Sequence, residues 1–567
     1  MSQAPPRRHT MPSREQMWSQ LPDEVDVAVV GGGITGAGIA RDAARRGLRV
    51  ALFEMDDLAY GTSSRSAKLI HGGLRYLESY QFSLVFESVG ERRVLLDLAP
   101  HLVNPLAFLF PVYEGSRRNL RKIGAGLWLY EGLSLFRSPK KHQRLKPDDV
   151  AKMEPILKQE GLEGAALYYD CSTDDARLTL ESALDAAEHG AMIATHAPVR
   201  GFLKDEGGRI SGVVVENARD HRTREVRAHV VINATGPWTD LTLAMSEPKR
   251  GKVLRPTKGI HIVVEAQKLP VRHAVICFHP VDDRALFAVP WGERTYVGTT
   301  DTDYDGTPGE EYATLEDVDY LLEAAKASFP DYPISRNDVI ATWAGIRALI
   351  APEPSTEELA ESAVSREHEI IVGEDGLITI AGGKLTTYRK MAEEVMGTAI
   401  QMLRLSEQLP ETLTPTHSDE EPLPGAIGWP EDDDNEKVAK RVTEVAQGLL
   451  SAETCLYLAN AYGMRAIWLA ERCAAEPSSC EPIIAGRPEI MAQVDFGVDE
   501  ELAATVSDIM IRRTQIFFRD LDQGLGAAEK VADRMASLIG WNEQERRRWL
   551  DAYRAEVALS RRWKEGL

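Results

Sequence analysis

Four cationic side chains and one histidine of this chain stand in or beside glycine-rich turns and strand ends. They are Arg75, His261, Arg347, Arg366 and Lys384. Most arginines at protein surfaces are only solvated, and any one of these could be. Their concentration near such turns, in a chain with a formal net charge of −21, indicates a cationic pocket for an anionic substrate, because guanidinium groups pair well with phosphate or carboxylate.

The first glycine-rich turn contains Gly31, Gly33 and Gly36 in the pattern Gly-x-Gly-x-x-Gly. An apolar run precedes it, and small residues typical of a closely packed helix follow. Glycines at this spacing allow a sharp turn and close approach of the backbone to a pyrophosphate, which the helix N-terminus attracts. The next apolar run ends at Glu54, where a carboxylate can accept the ribose hydroxyl groups. These residues predict a dinucleotide site.

Two further glycine turns, at 234–236 and 381–383, also end apolar runs. Ligands of a doubly wound sheet bind beyond the carboxyl ends of its strands, so the three turns can converge on one extended ligand. An ADP group would need only the first turn. Contacts from the distant third turn suit a cofactor that crosses the whole domain, which favours FAD over NAD.

The composition limits the class of protein. Of the 567 residues, 43% are hydrophobic and 27% are charged, as in soluble globular proteins. The net charge of −21 argues against nucleic acid as a partner, since phosphate backbones would repel the protein. The five cysteines include no Cys-x-x-Cys pair, so we expect no metal centre, no disulfide framework and a reducing cytoplasm.

Changes of pattern divide the chain into regions. Short alternating runs between 253 and 301 indicate an antiparallel sheet, and helical periodicity dominates after 437. We predict an α/β fold: a FAD-binding Rossmann-like domain with an inserted antiparallel β-sheet substrate domain and a C-terminal all-helical domain. The predicted regions are a disordered N-terminal arm (1–24), the FAD-binding domain (25–104, 165–250 and 340–404), the substrate or cap domain (105–164 and 251–339), an acidic linker (405–436) and the helical domain (437–567).

A basic cluster joins an apolar, aromatic stretch at 117–136. Its cations are Arg117, Arg118, Arg121 and Lys122. Such a segment can lie in a membrane interface without crossing the bilayer. The alternative is a buried helix with a solvated basic flank, which is the commoner structure in proteins at large.

Six segments together resemble the FAD-dependent, respiratory glycerol-3-phosphate dehydrogenases. They are 31–40, 62–77, 233–238, 258–263, 297–301 and 382–389. The most specific are His-Gly-Gly-Leu-Arg-Tyr at 71–76 and Gly-Gly-Lys-Leu-Thr-Thr-Tyr-Arg at 382–389. The resemblance covers about residues 25–400.

The resemblance implies a role for each matching residue. The ADP half of FAD would be held by Gly31, Gly33, Gly36 and Glu54. The pyrophosphate or flavin side would be lined by Thr62, Ser63 and Ser64. The isoalloxazine end would be packed by Ala234, Gly236, Gly383 and Leu385. The substrate phosphate would be held by Arg75, Tyr76 and Arg366, and Thr386 would also bind substrate. The reacting C2 hydroxyl would be surrounded by His261, Arg347 and Lys384.

The resemblance also implies the reaction, which is oxidation of sn-glycerol 3-phosphate to dihydroxyacetone phosphate by hydride transfer to FAD. We expect His261 to be the base and Arg347 to stabilise the alkoxide. The acceptor in the family is usually a membrane quinone, although relatives use oxygen. In that context we expect segment 117–136 to hold the protein on the inner face of the cell membrane as a peripheral protein. The oligomeric state stays open, and a homodimer is one alternative.

Two other functions stay open at this point. A flavin-dependent amine or amino-acid oxidase of the same fold would use a carboxylate-binding arginine and would need no cluster of cations for a phosphate group. A non-catalytic FAD-binding protein would bind the cofactor without reducing it.

Overall fold

The computed structural model describes residues 11, 14–77, 81–133, 140–351 and 367–565, without the side chains of Arg14 and Arg75. Arg366 lies outside the described residues, so its predicted contact with the substrate phosphate stays a prediction, as does that of the Arg75 side chain.

A mixed sheet forms the nucleotide-binding half of the molecule. Within the described residues it has eight strands, which are Glu24–Val30, Val50–Phe53, Met192–Ala194, Val199–Lys204, Ile210–Glu216, Thr223–Asn233, His368–Val372 and Ile378–Gly382. Glu24–Val30 lies at the centre and pairs in parallel with Val50–Phe53 and with Thr223–Asn233. The central strands are apolar on both faces because helices cover both faces of the sheet.

Three long helices cover one face of this sheet. They are Ile34–Arg45, Asp175–Glu188 and Tyr388–Leu405. The other face is covered by the short helices Arg14–Ser19 and Thr239–Ser246.

The N-terminal prediction was wrong for the residues from 14 onwards. Met17 and Trp18 are buried against the sheet, and the first strand begins at Glu24. A large aromatic and a flexible thioether provide enough apolar contact to hold a short helix in place. Of the rest of the predicted disordered arm, only Met11 is described, and it is buried.

A second sheet stands beside the first and has ten strands in the part of the chain that the structure describes. They are Leu69–Ile70, Asn104–Tyr113, Gln143–Leu145, Leu162–Ser172, Leu254–Glu265, Ala274–Phe278, Ala285–Trp291, Arg294–Gly298, Thr302–Asp303 and Ala341–Ile350. All named pairs are antiparallel except that of Asn104–Tyr113 with Ala274–Phe278. The helix Leu315–Ser328 packs on this sheet through a shared apolar cluster.

The structure corrects the predicted boundaries of the cap. Residues 165–172 and 341–350 were assigned to the FAD-binding domain, yet Leu162–Ser172 and Ala341–Ile350 are paired within the second sheet. These strands carry continuous apolar runs because both of their faces are covered, so their pattern resembles that of the parallel sheet.

The remaining helices are Phe82–Leu98, Leu120–Leu133 and Pro147–Met153, followed by those of the C-terminal region. The C-terminal helices are Asn435–Val445, Ala452–Tyr462, Ala466–Ala475, Met491–Glu500, Ile516–Arg519, Ala528–Ile539 and Glu543–Arg561. Side chains of the last four of these helices share one apolar cluster with strands of the second sheet. The first three pack with Met491–Glu500 in a separate cluster. The predicted combination of a Rossmann-like domain, a sheet-containing cap and a helical C-terminal region is confirmed.

The predicted acidic linker is docked rather than free. The Thr414 N–H donates to the Arg46 carbonyl over 3.1 Å, and the Gly425 N–H donates to the buried Glu181 carboxylate over 2.7 Å. Leu423 is fully buried. The acidic residues of the segment mark its exposed side, and its few apolar residues attach it to the body of the protein.

Candidate active site

A cavity of about 1390 Å³ lies between the two sheets. Its walls include all three glycine turns predicted to meet at the cofactor, together with strands of the second sheet. The volume exceeds that of most small-ligand sites, so the cavity has room for an extended cofactor and a small substrate.

The first glycine turn has the geometry of a pyrophosphate cradle. Gly31 has a φ of +108°, a conformation that residues with a side chain rarely adopt. A Cβ atom on Gly36 would lie 1.9 Å from the Gly31 carbonyl oxygen. The helix that follows begins at Ile34, whose N–H donates to the Ser63 hydroxyl over 2.9 Å. Only glycine permits this turn, which brings the positive end of the helix to the cavity wall.

Glu54 lies at the end of the second strand of the cradle. Its carboxylate accepts hydrogen bonds from the N–H groups of Gly32, over 2.6 Å, and Asp56, over 2.9 Å. Burial raises the pKa of Glu54 to about 7, although these two N–H groups oppose the rise. The Glu54 carboxylate therefore stands where it can accept hydrogen bonds from the ribose hydroxyl groups of a dinucleotide.

Most of the predicted cofactor residues line the same cavity. They are Gly31, Gly33, Glu54, Thr62, Ser63, Ala234, Gly236, Gly383 and Leu385. Gly36 and Ser64 do not line it. Gly36 instead permits the turn, and Ser64 is buried with a hydroxyl that has no hydrogen-bond partner in the part of the chain that the structure describes. Thr62 donates its hydroxyl to the Ile346 carbonyl over 2.6 Å. The residues present fit a dinucleotide cofactor.

His261 stands on the second sheet and faces the cavity. Its strand, Leu254–Glu265, pairs with Ala341–Ile350 so that His261 is opposite Trp343. The two rings stack with centroids 4.6 Å apart and planes 13° apart. Burial, then the charges of Arg347 and Lys68, hold the pKa of His261 well below its usual value. The imidazole is therefore neutral near pH 7 and able to accept a proton.

Arg347 lies on the strand that pairs with that of His261. Its guanidinium donates to the Asp301 carboxylate over 2.9 Å, and to the Thr299 hydroxyl and the Thr300 carbonyl over 3.1 Å each. The side chain crosses Gly259, where a Cβ atom would lie 2.4 Å from the guanidinium Nη2. Glycine at 259 therefore makes room for the arginine at the cavity wall.

Lys384 approaches the cavity from the third glycine turn. Its ammonium lies 3.8 Å from the centre of the Tyr76 ring and 3.3 Å from the Ser88 hydroxyl. Thr386 lines the cavity nearby, and its hydroxyl is hydrogen-bonded to both the N–H and the carbonyl of His71. The structure thus brings five predicted site residues to one cavity, namely Tyr76, His261, Arg347, Lys384 and Thr386.

Three important neighbours were not identified from the sequence. Asp301 orients Arg347, Trp343 stacks on His261, and Lys68 is a buried ammonium 5.5 Å from the centre of the Trp343 ring. Lys68 and Asp301 belong to the segments that carried the resemblance, so a signal existed for these two residues. Nothing in the local pattern around Trp343 indicated that its ring would meet His261.

One group of the described residues has the composition of a metal site. Oxygen and nitrogen atoms of Asp56, His196 and Asp508 lie within 4.8 Å of one another. Asp508 already accepts hydrogen bonds from Arg512, from the Thr505 hydroxyl and from backbone N–H groups. These donors satisfy the carboxylate without a metal ion.

Comparison with known proteins gives matches over nearly the whole chain. The family model for FAD dependent oxidoreductases matches residues 26–389, and that for the C-terminal domain of alpha-glycerophosphate oxidase matches residues 416–546. An aerobic glycerol-3-phosphate dehydrogenase of Staphylococcus saprophyticus is 35% identical over 555 residues, which are 96% of either chain. One of Bacillus subtilis is 36% identical over 534 residues, 94% of either chain.

A solved structure is similar over the same extent. The glycerol-3-phosphate dehydrogenase from Bacillus halodurans complexed with FAD has a TM-score of 0.78 and 32% sequence identity, covering 96% of each chain. These matches confirm the predicted dependence on FAD.

Proposed function

The chain belongs to the family of FAD-dependent aerobic glycerol-3-phosphate dehydrogenases, and from that premise we propose that it oxidises sn-glycerol 3-phosphate to dihydroxyacetone phosphate and passes the electrons to a membrane quinone. The observation that carries the proposed reaction is the meeting of a neutral, buried imidazole and a guanidinium with the cofactor cradle in one cavity. A secondary alcohol loses a proton and a hydride on oxidation, and these groups suit that need.

Each residue has a separate task in this proposal. His261 accepts the proton of the C2 hydroxyl, and Arg347 stabilises the negative charge that develops on that oxygen. Lys384 and Tyr76 form one wall of the cavity, where an ammonium can meet an anionic substrate. Bound FAD supplies the acceptor for the hydride. The phosphate takes no part in bond breaking and serves to position C2.

Anaerobic mixing of the FAD-loaded protein with glycerol 3-phosphate tests this function, with flavin absorbance as the readout. We expect rapid bleaching by glycerol 3-phosphate and little by glycerol, which lacks the phosphate. The variant His261→Ala should mainly slow flavin reduction. Arg75→Ala should mainly raise the concentration of glycerol 3-phosphate that gives half-maximal flavin reduction.

The same experiment separates the competing functions. Bleaching by glycine, proline or another amino acid, with none by glycerol 3-phosphate, would identify an amino-acid or amine oxidase. A protein that binds FAD but is bleached by neither class of substrate would be a binding protein, and unchanged flavin reduction in His261→Ala would remove His261 from the base role.

Exposed apolar side chains on two neighbouring helices support the peripheral membrane position. Phe82 and Phe86 of the helix Phe82–Leu98, and Trp128 and Leu129 of the helix Leu120–Leu133, are 41%, 52%, 59% and 43% exposed. The two helices pack on each other, and we propose that these side chains form one apolar surface. Among the described helices, none is both long and apolar enough to span a bilayer. A quinone-reducing enzyme of this kind would meet the inner face of the cell membrane through such a surface.

The basic residues beside this surface do not all have the same environment. Arg117, Arg121 and Lys122 are exposed and can meet anionic lipid. Arg118 instead binds both oxygens of the Asp283 carboxylate, over 2.9 and 2.8 Å, and lies 4.1 Å above the Phe278 ring. The proposed membrane contact therefore rests on the other three cations.

Flotation with vesicles that contain anionic phospholipid tests this contact. The triple variant Arg117→Glu, Arg121→Glu, Lys122→Glu should lose most of its binding, and Trp128→Ser should weaken it in both anionic and neutral vesicles. The control is the triple variant Lys440→Glu, Arg547→Glu, Arg548→Glu, which reverses three exposed charges elsewhere and should bind as before. Equal binding by all three variants would reject the surface.

The electron acceptor needs its own measurement. We expect turnover with a soluble quinone analogue to be much faster than oxygen consumption under the same conditions. Stoichiometric hydrogen peroxide with no response to quinone would identify an oxidase instead.

A further inference from the structure

Lys68 is a buried lysine to which the proposed reaction assigns no task. The residue is 2% exposed, and its ammonium donates to the Asp175 carboxylate over 2.7 Å and to the Ser64 carbonyl over 3.2 Å. The same ammonium lies 5.5 Å from the centre of the Trp343 ring. Asp175 provides the counter-charge that a buried lysine requires, and the resulting ion pair stands beside the ring that stacks on His261.

The segment 66–68 holds both aromatic neighbours of His261. The Trp343 indole N–H donates to the Ser66 carbonyl over 3.1 Å, and the Tyr296 hydroxyl donates to the Ala67 carbonyl over 2.8 Å. Trp343 stacks on the imidazole, and the Tyr296 ring meets it edge-on with centroids 6.0 Å apart. Segment 66–68 therefore fixes both aromatic rings that contact the His261 imidazole. The imidazole also faces the cavity.

The charges around His261 come from several elements. Arg347 stands on the neighbouring strand and is paired with Asp301. The Lys68 ammonium lies 5.5 Å from the centre of the Trp343 ring and is paired with Asp175. Tyr296 stays a neutral phenol because burial raises its pKa. Both cations disfavour a second positive charge on the imidazole, and burial adds to that effect.

We propose that Lys68 is a positioning residue for the proposed reaction: together with Trp343 it holds the His261 ring in place and keeps it in the neutral form that accepts the substrate proton. The inference rests on the proposed role of His261 as the base. Lys68 does not line the cavity, and it acts only through its charge and through the Trp343 ring.

The test compares Lys68→Met with Asp175→Asn. Loss of the ammonium favours the imidazolium, so the acidic limb of the rate of flavin reduction should move to higher pH by about one unit in Lys68→Met. Loss of the carboxylate leaves the ammonium without its counter-charge, so the limb should move to lower pH in Asp175→Asn. Opposite shifts from two members of one ion pair are not expected of mere structural damage.

Three further variants complete the design. Lys68→Arg keeps the charge and should keep the pH profile. Lys258 lies on the same strand as His261 and is likewise paired with a carboxylate, that of Asp317, over 2.8 Å. Lys258→Met should leave the pH profile unchanged. Trp343→Phe keeps an aromatic partner and should change the profile less than Trp343→Leu.

A second readout does not depend on turnover. Carbon-13 NMR of labelled histidines in the FAD-loaded, substrate-free protein, assigned with His261→Asn, reports the protonation of His261 directly. We expect its titration to move upward in Lys68→Met. A His261 titration that is the same in wild type, Lys68→Met and Asp175→Asn would overturn the inference. Flavin reduction that is unaffected in His261→Asn would reject the base role, and the NMR titration would still decide the effect of Lys68.

Discussion

The Arg347 guanidinium and the Asp301 carboxylate form an ion pair in the cavity wall, with Nη1 and Oδ1 2.9 Å apart. The Asp301 side chain is fully buried and also lies 2.8 Å from Arg284. One carboxylate thus orients the arginine proposed to stabilise the alkoxide and balances a second arginine nearby. The Arg347 guanidinium is therefore held in a fixed position for the substrate, and its positive charge is partly neutralised by Asp301.

Asp301→Asn should be among the most destabilising changes in the cavity. The variant leaves two arginines without their counter-charge, and we expect a loss of about 3 kcal/mol in the free energy of unfolding, as for other broken buried pairs. Chemical denaturation measures this loss. Asp303→Asn is the control, because its pair with Arg255 is exposed and should contribute at most about 1 kcal/mol. Equal losses in both variants would contradict the role of Asp301.

Tyr76→Leu should weaken the binding of an anionic substrate. The Tyr76 ring holds the Lys384 ammonium at 3.8 Å, and a desolvated contact of this kind contributes about 1–2 kcal/mol. We expect KM to rise roughly tenfold with a smaller change in kcat, measured by steady-state kinetics. Tyr76→Phe keeps the ring and should stay near the wild-type KM, so a similar rise in both variants would show that the hydroxyl matters instead.

Gly36→Ala should impair FAD binding. The new methyl group would press on the backbone of Gly31, which cannot move without opening the cradle. Overpacking of this kind costs about 1–3 kcal/mol, and titration of the flavin-free protein with FAD should show the lower affinity. Gly90→Ala is the matched control, since a Cβ atom there meets nothing within 4 Å. In its helix, alanine should raise stability by about 0.5–1 kcal/mol.

The affinity for FAD should depend on pH through Glu54. Burial raises the pKa of Glu54 to about 7 in the flavin-free protein, and ribose hydroxyl groups donate best to the ionised carboxylate. Binding therefore favours the deprotonated form, and affinity should rise as pH increases through about 7. Glu54→Gln should bind more weakly and without this rise. A pH dependence that persists in Glu54→Gln would assign it to another group.

The stability of the flavin-free protein should show the opposite trend from the same residue. The folded protein retains a proton on Glu54 that the unfolded chain releases above its ordinary pKa of 4.5. The contribution of Glu54 to the free energy of unfolding should consequently fall as pH rises from 4.5 to about 7. The difference in stability between wild type and Glu54→Gln, followed by denaturation across this range, measures the trend.

The C-terminal region should help to hold the cofactor through its helical turn Asp508–Arg513. Arg513 binds both oxygens of the Asp57 carboxylate, over 2.7 and 2.9 Å, and both side chains are fully buried. Asp57 follows Glu54 by three residues in the chain. Arg512 also pairs with Asp57, so Arg513→Met should cost about 1–3 kcal/mol of stability and lower the affinity for FAD. Arg519→Met, whose partner Glu293 is partly exposed, should cost at most about 1 kcal/mol and bind FAD normally. Normal FAD binding in folded Arg513→Met would rule out this support.

The sequence was sufficient for the cofactor cradle because each of its requirements is local. A glycine turn, a helix start and an acid after the next strand all fall within residues 27–54, and the structure keeps that order. The cap boundaries were less predictable, because Leu162–Ser172 and Ala341–Ile350 are apolar on both faces. Such strands have the same pattern in either sheet, and only the pairing distinguishes them.

The sequence by itself determined the residue types of the site, the order of the glycine turns, the family and the use of FAD. Only the tertiary structure decided that His261 stacks on Trp343, that Asp301 orients Arg347, and that Lys68 lies beside the Trp343 ring. These partners are 82, 46 and 275 residues apart in the chain. Their proximity depends on strand register and on the packing of two sheets, and no local pattern of side chains encodes either one.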